Sequence, residues 1–178
     1  MRLAVFASGT GSNLEAISKK VTVDLVFSDN PDARALTILP NTPRVTFAPR
    51  DFASRIEYEE ALAQMIRKHD IDLVALAGYM RVVGTPLLNA LPGMIVNLHP
   101  SLLPAFKGKN AIERAFESRV PETGVTVHVI DEGLDTGPIL AQETVVMRQT
   151  LAELEAAIHE TEHRLYPQVI ERILKGEE

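Results

Sequence analysis

The sequence predicts an α/β protein with a doubly wound, mostly parallel sheet. A C-terminal antiparallel strand pair and a long C-terminal helix complete it. Three observations predict this class. Short apolar runs without alternation, Asp72 to Ala77 and Met94 to Leu98, suit strands buried on both faces. Such runs alternate with segments of helical spacing, the pattern of a parallel sheet flanked by helices. The last third then changes to strict alternation, followed by one long helical stripe.

The elements follow in order. Leu3 to Ala7 is the first strand. Ser8-Gly9-Thr10-Gly11-Ser12-Asn13 is a flexible turn, and Leu14 to Lys20 is a short helix, which Asn13 would cap if the turn held no ligand. Val21 to Ser28 is a second strand, closed by Asp29-Asn30-Pro31. Val45 to Ala48 is a short third strand, and Pro40, Pro43 and Pro49 make its surroundings loop-rich. A long helix runs from about Phe52 to His69, where Tyr58, Leu62, Met65, Ile66 and His69 fall at helical spacing. Thr85 to Leu91 is a short helix with Pro86 in its first turn. From Gly124 to Ile130 the chain alternates. Val125, Val127 and Val129 face one way, and Thr126, His128 and Ile130 the other. Ile139 to Met147 is expected to pair antiparallel with it, across the loop Asp131 to Pro138. Thr150-x-x-Glu153 opens the final helix as a capping box. Its apolar stripe is Leu151, Leu154, Ile158, Leu165, Val169 and Ile173. No repeat or linker interrupts the 178 residues, so one domain is expected.

Composition narrows the function. A hydrophobic fraction of 46% with 24% charged residues suits a packed core and argues against disorder. A net charge of −6 argues against a nucleic-acid partner, which needs clustered Lys and Arg to neutralise phosphates. The chain has no cysteine, which removes disulfides and thiolate metal sites and fits a cytoplasmic location. No apolar run approaches the ~18 residues of a membrane span. Small-molecule substrates are the expected partners.

Three stretches carry chemistry. A glycine-rich turn between a first strand and a first helix offers free N–H groups to an anion, and Gly9 and Gly11 let the backbone approach closely. The plain alternative is a tight turn with no ligand. The Gly-Lys-Ser/Thr ending of a phosphate-binding loop is absent. The dinucleotide pattern lacks its third glycine, because Leu14 stands there, although Asp29 lies where a ribose-binding acid would fall. A mononucleotide phosphate suits the turn better.

The second stretch is Met94 to Pro104. Asn97 and His99 share parity at the end of an apolar strand, with Pro100 and Pro104 bracing the loop beyond. In a doubly wound sheet the ligand crevice lies beyond the carboxyl ends of the strands. A histidine there can relay protons, and an asparagine amide can donate to an oxyanion. The third stretch, Asp131 to Pro138, holds Asp135, a candidate partner for His99 or else a solvated turn aspartate. His128 reads as buried and structural.

These motifs together resemble the folate-dependent formyltransferase family. They are Ser8 to Asn13, Leu76-Ala77-Gly78-Tyr79-Met80-Arg81, Asn97-Leu98-His99-Pro100-Ser101-Leu102-Leu103-Pro104 and Leu134-Asp135-Thr136-Gly137-Pro138. The resemblance spans nearly the whole chain, and implies a Rossmann-like formyltransferase fold. The glycine turn points to the branch that formylates glycinamide ribonucleotide in purine biosynthesis. The resemblance implies 10-formyltetrahydrofolate as co-substrate and no metal. It makes Asn97 the oxyanion donor, His99 the proton carrier and Asp135 the residue that holds His99. Gly11, Ser12 and Asn13 would cradle the ribonucleotide phosphate, with Glu162 on its glycinamide or ribose. Arg55, Met80, Arg81, Val82 and Val83 would meet the folate, Arg55 at its anionic tail. The loop Asp131, Glu132, Gly133, Leu134 and Asp135 would clasp the pterin. Leu36 to Arg44 is shorter and richer in proline than the helix usual in the family, and His159 stands in place of a more familiar glutamine.

Other readings compete. His159-Glu160-Thr161-Glu162-His163 matches the His-Glu-x-x-His pattern of zinc hydrolases. Another user of the same formyl donor, transferase or hydrolase, is a second alternative. A non-catalytic nucleotide-binding module is a third, but it has no need of Asn97, His99 and Asp135 together.

Overall fold

The computed structural model describes residues 1–177. Its strands are β1 (Leu3–Phe6), β2 (Leu25–Ser28), β3 (Arg44–Thr46), β4 (Leu73–Leu76), β5 (Ile95–His99), β6 (Glu122–Val129) and β7 (Ile139–Val146). Its helices are α1 (Ser12–Ser18), α2 (Ala35–Ile38), α3 (Arg55–Lys68), α4 (Thr85–Ala90), α5 (Ala111–Glu117) and α6 (Leu151–Lys175), with a 3₁₀ turn at Pro49–Asp51. All seven strands form one sheet in the order β3-β2-β1-β4-β5-β6-β7. The first five are parallel, and β6 and β7 run antiparallel.

Two apolar clusters sandwich the sheet. Leu3, Val5, Leu73, Ala75, Val96, Val125 and Val127 pack toward α1 and α6. Ala4, Phe6, Leu25, Phe27, Val74, Leu76 and Ile95 pack toward α3 and α4. β1 and β4 feed both clusters, which is why they read as unbroken apolar runs. Each fully buried Leu or Ile of this kind contributes about 1.5–3 kcal/mol.

The differences from expectation have local causes. β2 starts at Leu25, not Val21, because Asp24 turns its carboxylate to accept the Leu3 N–H at 2.8 Å. α3 starts at Arg55 because the Ser54 hydroxyl caps it, accepting from the Glu57 N–H at 3.2 Å. Phe52 stays outside, in an aromatic cluster with Phe47 and Tyr58. α5 and the four-residue α2 were not expected. Asn13 is not the cap of α1. Gly11 holds that place in the left-handed region at φ 76°, with no side-chain cap.

α6 is capped as predicted, by the reciprocal Thr150–Glu153 pair. Its Tyr166 hydroxyl is buried between the carbonyls of Leu76 and Val96, at 3.0 Å from each. The helix is thereby tied to the ends of β4 and β5. No helix among the described residues is long and apolar enough to cross a membrane.

Candidate active site

β5 and β6 build the centre. Their antiparallel register sets Asn97 opposite His128 and His99 opposite Thr126, so all four side chains share one face. Two loops, the one after β5 and the one between β6 and β7, bring further groups to this face. Thr126 braces the first. Its hydroxyl donates to Ser101 O at 2.6 Å and accepts from Leu103 N at 3.1 Å, while Gln142 donates to Leu103 O at 2.9 Å. The loop beyond His99 is therefore held by side chains of β6 and β7 as well as by its prolines.

His99 is buried at 5% exposure. Its Nε2 lies 2.9 Å from the Phe106 carbonyl, and its Nδ1 lies 3.5 Å from Asp135 Oδ2. Both ring nitrogens thus face oxygen acceptors. The Asp135 contact is longer than a formed hydrogen bond. Asp135 also accepts the Gly108 N–H at 2.8 Å and lies 3.7 Å from His128 Nε2. It is not the solvated turn residue of the plain reading.

The loop carrying Asp135 closes tightly. Asp135 has φ 50°, and a Cβ on Gly137 would lie 1.8 Å from Val129 O, so glycine alone lets the loop return onto β6. Asp131 accepts from Gly133 N and Thr136 Oγ1, and the Thr136 hydroxyl holds its carboxyl below the usual range. Glu132, Gly133 and Leu134 are exposed along the rim.

His128 is fully buried, as expected, but it also belongs to this cluster. Burial pushes its pKa down, which favours the neutral ring. With Nδ1–H donating to Val129 O at 3.1 Å, Nε2 is left to accept from Asn97 Nδ2 at 3.3 Å. One amide hydrogen of Asn97 is fixed this way, and the other remains for a ligand. Sequence parity put His128 beside Thr126, but only the strand register puts it opposite Asn97.

The glycine turn lies at the end of β1. Ala35 N donates to Gly9 O at 3.1 Å, and Arg34 donates to Thr10 O at 3.0 Å, so α2 and its lead-in brace the turn. A Cβ on Gly11 would lie 2.5 Å from Ile38 Cδ1. Ser12 and Asn13 occupy the first turn of α1, whose N–H groups have no partner within the helix. Asn13 Nδ2 donates to Glu162 Oε2 at 3.3 Å, and its Oδ1 is buried without a partner. Glu162 is itself buried and also holds His159 Nδ1 at 3.0 Å.

Met80 to Val83 follow β4. They are not ordinary core: Met80 and Val82 are 79% and 68% exposed, and only Val83 is buried. Arg81 donates to Asp29 at 2.7 Å, and Ser8 donates to the other Asp29 oxygen at 2.6 Å. Both carboxylate oxygens of Asp29 are engaged within the protein, which counts against Asp29 as the ribose acid of the dinucleotide reading. Arg55 donates to Val82 O at 3.1 Å, so it stands beside this loop. A cavity of about 600 Å³ opens between Arg81, Asn30 and Arg50. In the His-Glu-x-x-His segment, His159 is spent on Glu162. Among the described residues no three His, Asp or Glu side chains are placed to hold a metal.

Known proteins of one family resemble this chain over nearly its whole length. The Formyl transferase family model matches residues 1–170. A phosphoribosylglycinamide formyltransferase of Bacillus subtilis is 42% identical, over 97% of this chain and 94% of its own. The crystal structure of glycinamide ribonucleotide transformylase 1 from Geobacillus kaustophilus superposes with a TM-score of 0.93 at 46% identity, covering 97% of each chain. A human trifunctional purine biosynthetic protein is 34% identical over 98% of this chain, which spans 18% of that longer protein.

Proposed function

The chain belongs to the formyl transferase family, and from that premise we propose that it moves a formyl group from 10-formyltetrahydrofolate to the amine of glycinamide ribonucleotide. The observation that carries this reading is the cluster at the end of β5, next to β4 and the loop that follows it: His99 lies 3.5 Å from Asp135, and His128 links Asp135 to Asn97. In the reaction the amine lone pair adds to the formyl carbon, and the carbonyl oxygen becomes an oxyanion. The free Asn97 amide hydrogen stabilises it. The bond to the folate nitrogen then breaks, and its electron pair stays on that nitrogen. One proton leaves the attacking amine and one reaches the folate nitrogen. His99 carries them, held by Phe106 O and Asp135.

Gly11, Ser12 and Asn13 bind the ribonucleotide phosphate through the first-turn N–H groups of α1. Glu162, hydrogen-bonded to Asn13, serves the glycinamide or ribose of that substrate. Met80 and Val82 offer apolar surface to the folate rings, with Arg55, Arg81 and Val83 beside them. The Asp131–Asp135 loop closes over the pterin. Cytoplasmic purine biosynthesis is the setting.

The test is an assay with glycinamide ribonucleotide and 10-formyltetrahydrofolate, run on the wild type beside Asp135→Ala. The wild type transfers the formyl group and the variant loses most turnover while still binding ribonucleotide. No transfer by the wild type, or near-normal turnover in the variant, overturns the reading.

A further inference from the structure

The loop from Gly78 to Gly84 has no regular structure, yet its backbone is pinned at several points. Met80 N donates to Ser8 Oγ at 3.0 Å near the start, and Arg55 donates to Val82 O at 3.1 Å in the middle. The Gly84 N–H donates to Glu59 Oε1 at 2.9 Å at the end. Arg55 and Glu59 lie one helical turn apart on α3, so that helix grips the second half of the loop twice. Between the pins, the side chains of Met80 and Val82 point to solvent.

Glu59 is the unusual pin. It is 2% exposed, and its Oε2 is buried with no partner. Its carboxyl is pushed up by burial. An apolar side chain of similar size would avoid the cost of burying that bare oxygen, at the loss of one hydrogen bond. The single hydrogen-bond partner it has is the Gly84 amide, which belongs to the loop. That amide approaches so closely that a Cβ on Gly84 would lie 3.2 Å from Glu59 Cδ.

We infer that Glu59 is a positioning residue for the folate. It acts through the Gly84 amide, fixing the backbone from which Met80 and Val82 present their apolar surface. This inference rests on the assignment of that loop to the folate. Ordering the loop in advance removes a cost that binding would otherwise bear. The ribonucleotide end and the Asn97–His99–Asp135 cluster do not touch Glu59, so its effect falls on folate affinity alone.

The test compares Glu59→Met, which keeps the volume and removes the acceptor, with Glu59→Gln, which keeps an acceptor oxygen. Folic acid binding is measured by calorimetry, and both Michaelis constants by formyl transfer. Glu59→Met folds, because relief of the buried, unpartnered oxygen offsets the lost hydrogen bond. Its folic acid Kd and folate KM rise about tenfold, as for loss of one hydrogen bond. Its kcat and ribonucleotide KM stay within about twofold, and the Gly84 amide exchanges faster with deuterium. Glu59→Gln restores both folate affinity and amide protection. Wild-type folic acid binding in Glu59→Met, or an equal rise in both Michaelis constants, overturns the inference alone. Wild-type protein that binds no folic acid overturns the folate assignment and this inference with it.

Discussion

The two halves of the sheet serve the cleft by different means. In the parallel half, turns follow β1 and β4 and present backbone. The glycine turn offers N–H groups, and the Gly78–Gly84 loop is a pinned stretch of main chain with exposed Met80 and Val82. Where parallel β5 meets antiparallel β6, the working groups are side chains. Asn97, His99, His128 and Asp135 touch one another and are largely buried. A backbone site depends on conformation and tolerates changes in many side chains. A side-chain cluster depends on the atoms themselves, because each member orients the next.

The predictions break this contrast from its strongest side to its weakest. His99→Ala should lower kcat about 100- to 10,000-fold, the range for a lost proton carrier, with ribonucleotide affinity nearly unchanged. A steady-state assay paired with calorimetry checks it, and an equal loss in affinity would blur the division. Asn97→Ala should cost about 100- to 1,000-fold in kcat, as for a lost oxyanion donor. In the parallel half, Gly11→Ala should act the opposite way. The added Cβ meets Ile38 and Ala35 at φ 76°, so about 1–3 kcal/mol of stability is lost and ribonucleotide KM rises far more than kcat falls. Tyr166→Phe tests the seam between the halves. Losing the hydroxyl that bridges Leu76 O and Val96 O should cost about 1–2 kcal/mol in denaturant unfolding.

The smallest effect is a pH dependence. His128 has its folded pKa lowered by burial from 6.5, so below that pH the unfolded chain binds the extra proton. Its contribution to stability is complete above about 6.5 and is lost as pH falls toward the folded pKa. The melting temperature of the wild type should therefore drop between pH 7.5 and 5.5 more than that of His128→Asn. Equal drops would mean that other groups carry the acid sensitivity.

Much of this site was legible in the sequence, and what was missed is physical in kind. The parity of Asn97 and His99 and the strand-end prolines placed both residues at the crevice, because alternation along a strand is a local property. The glycine turn was legible for the same reason. The resemblance, not the spacing, supplied Asp135 as the partner of His99. The structure brings the two within 3.5 Å through a loop that needs glycine at 137. The dinucleotide reading failed on Asp29, because a carboxylate's partners are not written beside it. Arg81 lies after a different strand.

The sequence alone therefore determined the class of the fold, the capped last helix and the strand ends that carry polar side chains. These follow from period, parity and turn chemistry, which act over a few residues. Tertiary structure decided the rest. It set the β5–β6 register that places His128 against Asn97, the burial that spends Asp29 on Arg81 and Ser8, and the reach of Glu59 to Gly84. Each of these is a pairing across distant segments, where geometry and desolvation choose the partner and no local pattern records it.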